Sequence, residues 1–195
     1  MRKGLLATVA LVLAACASLP NEPPVTAEPV ARHAFFANMR SLCGNTYAGE
    51  VVSTDAVDAE WRASELVLGP VDCEGDLVSL PLRVGADTSR TWFLRRNPYG
   101  LAFHHQHLLS DGSPDPVSMY GGAATGDGTA LRQSFPADRG SKIMFEENGL
   151  EPSVANVWSL TLELGDTLTY ALARPGRDFR AEFDIAEPAS SPGGD

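Results

Sequence analysis

The residues best equipped for chemistry lie in one stretch, Leu101-Ala102-Phe103-His104-His105-Gln106-His107-Leu108-Leu109-Ser110-Asp111-Gly112, which holds three of the chain's four histidines. On a strand the side-chain period is two, so His105 and His107 share a face and His104 takes the other. Two imidazoles so spaced can hold one divalent ion or contribute to haem ligation. Zinc needs a third and usually a fourth ligand, however. Asp111 falls on the same nominal face but within a turn. The competing reading is structural: His105 and His107 hydrogen-bond or pack beside Phe103 and Leu109. A second polar group precedes them, Ser89-Arg90-Thr91-Trp92. There Arg90 either grips a carboxylate or stands on a rim while Trp92 and Leu94 pack inward, and the second reading is preferred.

The other motifs carry less chemistry. Tyr120-Gly121-Gly122 reads as a strand end where no side chain fits, since no Rossmann or Walker pattern surrounds it. Asp138, in Phe135-Pro136-Ala137-Asp138-Arg139-Gly140, either caps a short turn or pairs with an arginine. No Gly-x-Ser-x-Gly elbow, His-Glu-x-x-His helix or active-site cysteine context is present. A non-enzymatic protein without a cofactor is therefore expected.

The elements that must position these residues are almost all strands. Ala31 to Leu42 is the one good helix candidate, with Phe35, Met39 and Leu42 at helical spacing, Phe36 beside them, and Gly44 as the stop. Strands are expected at Tyr47–Ser53, Leu66–Gly69, Leu77–Val84, Thr91–Arg95, Leu101–Leu108 and Val117–Tyr120. Further strands are expected at Leu131–Phe135, Lys142–Glu146, Val157–Leu164, Thr167–Ala173 and Phe179–Ile185. Alternation is clearest late in the chain: Trp158, Leu160, Leu162 and Leu164 share a face, then Leu168, Tyr170 and Leu172, then Phe179, Ala181, Phe183 and Ile185. Turn chemistry separates the runs, as in Asn97-Pro98-Tyr99-Gly100, Asn148-Gly149 and Pro175-Gly176. This pattern predicts an all-β, mainly antiparallel fold: an up-and-down β-barrel of about 8–10 strands, with the helix over one end and a β-sandwich as the alternative.

The beginning of the chain supplies an address. Arg2 and Lys3 precede a short apolar run, Leu5 to Leu13, and Leu13-Ala14-Ala15-Cys16 matches a bacterial lipobox. About 12 apolar residues are too few to span a bilayer, which takes roughly 20. Residues 1–15 are therefore expected to be a signal peptide, with Cys16 the lipidated (palmitate-bearing) first residue of the mature chain. Residues 16–30, rich in proline, form a tether, 31–186 the barrel domain and 187–195 a flexible tail. With Cys16 so used, Cys43 and Cys73 remain as an even pair and are expected to form a disulfide in an oxidising periplasm. The formal net charge is −10, or −12 once Arg2 and Lys3 are removed. Such a balance argues against nucleic acid as a partner and mildly favours a basic one.

Several ordered motifs carry resemblances. Cys43-Gly44-Asn45-Thr46-Tyr47-Ala48-Gly49 resembles the Gly-x-aromatic opening of lipocalin-like barrels. Ser89-Arg90-Thr91-Trp92, Gly100-Leu101, His105-x-His107, Asp111-Gly112-Ser113, Tyr120-Gly121-Gly122 and Phe135-Pro136-Ala137-Asp138 come first in order. Val157-Trp158, Tyr170-x-Leu172 and Glu182-Phe183-Asp184 then follow. Together, from about Phe35 to Ile185, they resemble a family of uncharacterised exported bacterial proteins and lipoproteins. That family pattern often carries another histidine where this chain has Leu109, so the resemblance supplies no third metal ligand and implies no activity. Ala17 and Ser18 lack the aspartate of inner-membrane retention. By resemblance to such lipoproteins, this implies the periplasmic face of the outer membrane.

The first expectation is thus a membrane-anchored module binding a small apolar or amphipathic ligand, with Arg90, Trp92, Phe103, His105, His107, Trp158 and Tyr170 as candidate contacts. The alternatives are an envelope protein-interaction module, for example an inhibitor of a basic cell-wall hydrolase, and metal or haem binding through His105 and His107.

Overall fold

In the computed structural model, residues 30–126 and 128–189 are described. The expected signal peptide, Cys16 and the expected tether up to residue 29 lie outside them. Ten antiparallel strands form one nearly closed, lipocalin-like barrel. They are β1 (Tyr47–Val51), β2 (Leu66–Leu68), β4 (Leu77–Val84), β5 (Asp87–Asn97), β6 (Gly100–His107), β7 (Tyr120–Ala123), β8 (Arg132–Pro136), β9 (Val157–Glu163), β10 (Thr167–Arg174) and β11 (Arg177–Asp184). A short β3 (Asp72–Glu74) pairs with β4 off this path. The order β7-β6-β5-β4-β2-β1-β11-β10-β9-β8 follows the chain around the wall, and β1 pairs with β11.

The seam between β7 and β8 closes through two main-chain bonds, Asp138 N–H to Gly121 O (2.8 Å) and Thr125 N–H to Ser134 O (3.1 Å). Gly122 makes that approach possible, since a methyl group there would run into the Pro136 carbonyl. One on Gly121 would run into the Phe103 carbonyl of the neighbouring β6. The expected strand Val117–Tyr120 is displaced to Tyr120–Ala123, so the two glycines lie within β7 and not at a strand end.

Alternation decides what enters the barrel. Val78, Leu80 and Leu82 of β4, Trp92 and Leu94 of β5, and Leu101 and Phe103 of β6 are buried, as are Trp158, Leu160 and Leu162 of β9. The core is completed by Leu168, Tyr170, Phe179, Ala181 and Phe183 from β10 and β11. Leu164 departs from the expected face. It lies beyond β9 in the hairpin turn and is exposed. On the outward positions of β11, Asp178, Arg180 and Asp184 face water.

Helix α1 (Val30–Arg40) plugs one end with Phe35, Phe36 and Met39. It is held there by Asn38 donating to the Ala130 carbonyl (2.9 Å), Arg32 donating to that of Gly126, and Arg96 over the Phe36 ring. Cys43 and Cys73 are bonded, with Cα atoms 5.8 Å apart, tying the end of this plug to β3.

Lys142–Glu146 is not a strand but lies inside a helix, α3 (Arg139–Glu147). Asp138 caps it, accepting from Ser141 N–H at 2.7 Å. Ser141 and Phe145, four residues apart, form its buried face. A short apolar run fits either period, and the cap decided it. A further single turn, α2 (Ala59–Arg62), follows β1 and a 3₁₀ turn at Ala56–Asp58. Of the expected flexible tail, residue 189 is tied down: Ala189 N–H donates to Thr46 O at 2.7 Å.

Candidate functional site

The barrel end opposite α1 is left open, and the singled-out residues converge there. The start of β5, the end of β6 and the hairpin joining β10 to β11 surround a hollow of about 310 Å³. Its inner wall is built from Trp92, His105, Tyr120 and Tyr170. Its mouth is built from Trp61, Arg90, Arg177, Phe179 and the turn residues Val57 and Asp58. Beyond Tyr120, Tyr170 and Leu172 lies a second hollow of about 270 Å³, reached past His107 and lined by Phe145, Leu150 and Trp158.

Flat rings dominate both. Trp92 and Tyr170 stack at 4.2 Å between centroids and 10° between planes. His105 stacks on Tyr120 at 4.8 Å and 12°. Trp61 meets Phe179 edge-on at 5.4 Å, and the Arg90 guanidinium lies 5.2 Å from the Trp61 ring centre.

His105 is fully buried, with both ring nitrogens engaged. Nδ1 lies 3.2 Å from the Tyr120 carbonyl, which can only accept, so Nδ1 carries the proton. Nε2 then accepts from the Tyr170 hydroxyl at 3.1 Å. Burial pushes the His105 pKa down to about 3, so the ring is neutral at ordinary pH. His107 sits nearer the mouth, with Nε2 3.2 Å from the Tyr120 hydroxyl. Burial, reinforced by the Arg90 charge, lowers its pKa too. Burial also raises both phenols, Tyr120 to about 12 and Tyr170 well above the usual value. The inner wall is thus uncharged, aromatic and already hydrogen-bonded.

Around the main hollow charge is confined to the mouth, while Arg174 lines the second. Arg90 pairs with Asp87, and Arg177 pairs with Asp58 and Asp55. Asp58 also accepts from the Ser53 hydroxyl at 2.7 Å. Burial works to raise the Asp58 pKa, but the Arg177 and Ser53 hydrogen bonds outweigh it and the pKa falls. The Asp58–Arg177 pair, with Arg62 donating to the Ser53 and Asp55 carbonyls, pins the segment bearing Trp61 across the mouth.

Of the seven candidate contacts, Arg90, Trp92, His105, His107 and Tyr170 line the main hollow and Trp158 the second. Phe103 lines neither. Two residues deeper along β6, it is packed against Phe135 (5.3 Å) and Trp92 (6.1 Å). His104 points outward, 3.6 Å from Asp138, and Asp111 lies in the exposed turn after β6. Among the described residues no third His, Cys, Asp or Glu joins His105 and His107 in a cluster fit for a metal ion.

Trp61, Arg177, Asp58 and Phe179 were not foreseen as site residues. Phe179 and Leu172 were legible as inward-facing from their strands' alternation. Trp61 and Asp58 sit in a turn between β1 and β2, where no periodic signal exists. No family model, curated protein or solved structure matches the chain.

Proposed function

We propose that this chain is a lipid-anchored, non-enzymatic protein of the bacterial cell envelope, held at the periplasmic face of the outer membrane, whose barrel binds a small apolar or amphipathic ligand. The observation that carries the binding reading is the open, aromatic-walled hollow at the end remote from α1. A cavity of this size, mostly ring-lined with a few polar groups at its mouth, is the usual form of a small-molecule site. The inner wall has no charged group to repel an apolar body, and stacked rings offer faces to a flat one. The address rests on the lipobox ending at Cys16. The first described residues, from Val30, enter at the plugged end, remote from the mouth.

All three tryptophans of the chain, Trp61, Trp92 and Trp158, line one hollow or the other. Intrinsic fluorescence therefore reports occupancy directly. Titrating the purified full chain with uncharged N-phenyl-1-naphthylamine is expected to quench tryptophan emission saturably, and Leu172→Trp, which fills the wall between the hollows, to weaken it. Unchanged emission through the titration overturns the binding reading. Labelled palmitate should enter the wild-type protein but not Cys16→Ser, and labelling of both overturns the anchor.

A further inference from the structure

The ring-lined hollow by itself suits two opposite ligands, a cation held against aromatic faces or an apolar body with an anionic end. The hydrogen-bonding groups at the mouth separate them. Asp58 is the one carboxylate lining the hollow, and its oxygens are already taken: Oδ2 by Ser53 Oγ and Arg177 Nη1, Oδ1 by Arg177 Nη2. It has little left for an incoming cation.

The donors are different. Arg90 uses Nη1 on Asp87, while Nε and Nη2 donate to no group among the described residues. Arg177 leaves Nε free in the same way. A guanidinium has donors and no acceptor, and it matches the planar geometry of a carboxylate. The carboxylate that offsets Arg90 also sits further out, with side-chain exposure of 43% for Asp87 against 22% for Arg90. Water screens the outer member of that pair more than the inner one. Arg177 is instead matched by Asp58, which is only 2% exposed. The lining carries two arginines against one aspartate, in a chain whose formal charge is −10.

We infer that the ligand is an anionic amphiphile, a flat apolar body ending in a carboxylate, with the body against Trp92 and Tyr170 and the carboxylate on the free Nε and Nη2 of Arg90. This rests on the binding reading proposed above and names its ligand class. Trp61, beneath the Arg90 guanidinium, holds that side chain at the mouth. His105 and Tyr170 satisfy each other and leave the floor uncharged.

The test compares 2-naphthoate with its uncharged isostere 2-naphthamide, by tryptophan quenching and calorimetry on the full chain at neutral pH. The acid is expected to bind about tenfold more tightly than the amide, with the gap narrowing as salt is raised. In Arg90→Gln the preference should vanish, with acid and amide binding about equally. Asp87→Asn, which frees Arg90 Nη1, should tighten the acid and leave the amide unchanged. Arg177 is unsuitable for the test because its loss strands buried Asp58.

Equal binding of acid and amide to the wild type overturns this inference and leaves the apolar-ligand reading intact. Tighter binding of 2-naphthylmethylammonium than of either also overturns it, in favour of a cation site. Discrimination that survives in Arg90→Gln overturns the assignment to Arg90. Binding of none of the three overturns the inference together with the reading beneath it.

Discussion

His105 gives the sharpest quantitative prediction. Its folded pKa of about 3 is set by burial against an ordinary value of 6.5. Between those values the unfolded chain binds a proton that the folded protein refuses. Acid therefore draws the protein toward the unfolded state, and the contribution of a neutral His105 is present above pH 6.5 and lost as pH falls toward 3. The slope in that window is about 1.4 kcal/mol per pH unit, so at pH 4 the loss is about 3 kcal/mol relative to pH 7.5. Carboxylates such as Asp58 and Asp87 also weaken in acid, so wild type alone does not isolate the effect.

His105→Gln does isolate it. An amide offers an N–H toward the Tyr120 carbonyl and an oxygen toward the Tyr170 hydroxyl, and it does not titrate. Any fixed difference in packing cancels when each protein is compared with itself across pH. In thermal unfolding followed by circular dichroism, wild type should lose roughly 6–12 °C more than His105→Gln between pH 7.5 and pH 4, at about 2–4 °C per kcal/mol for a domain of this size. Parallel profiles, differing by less than about 1 kcal/mol at pH 4, would mean that His105 is not buried and neutral. The inner wall described above would then be wrong.

Three further outcomes test the frame. Gly122→Ala places a methyl group against the Pro136 carbonyl, where main chain meets main chain and neither can step aside. It should cost about 3 kcal/mol or more, and a urea midpoint equal to wild type would refute the seam. Replacing Cys43 and Cys73 with serine removes a cross-link of sequence separation 30 and should cost roughly 3–4 kcal/mol in the chain-entropy model. A dithiothreitol-treated wild type should unfold at the same temperature as the double variant. Asp138→Ala deletes the cap of α3 and should cost about 1 kcal/mol, seen as a shift in denaturation midpoint without loss of barrel signal.

Where the sequence was readable, a short-range pattern carried the information. Alternation placed Trp158, Leu160, Leu162, Tyr170, Phe179 and Phe183 inside before any pairing was known, because a strand's two faces are fixed by its own period. The same period separated His104 from His105 and His107. It failed at Lys142–Glu146, where an apolar run of helical or strand length was settled by Asp138 bonding to the Ser141 amide. It also failed at Phe103, which alternation puts inside but cannot place at a given depth. The mouth was least legible, since Asp58 and Trp61 belong to an aperiodic turn that acquires meaning only from the Arg177 and Phe179 strand it lies against.

By itself the sequence determined the antiparallel class, the faces of the strands, the helical plug and the cysteine pair, all consequences of residue type at close spacing. The tertiary structure alone decided that β1 closes on β11 and β7 meets β8. It thereby brought Trp92, His105, Tyr120 and Tyr170 from β5, β6, β7 and β10 around one hollow. The physical reason is distance along the chain. The pairing of β1 with β11 joins strands separated by more than a hundred residues, through main-chain bonds that every residue can make and no side-chain pattern encodes. Whether the enclosed space is filled or hollow depends on the summed volumes of side chains from all of those strands at once.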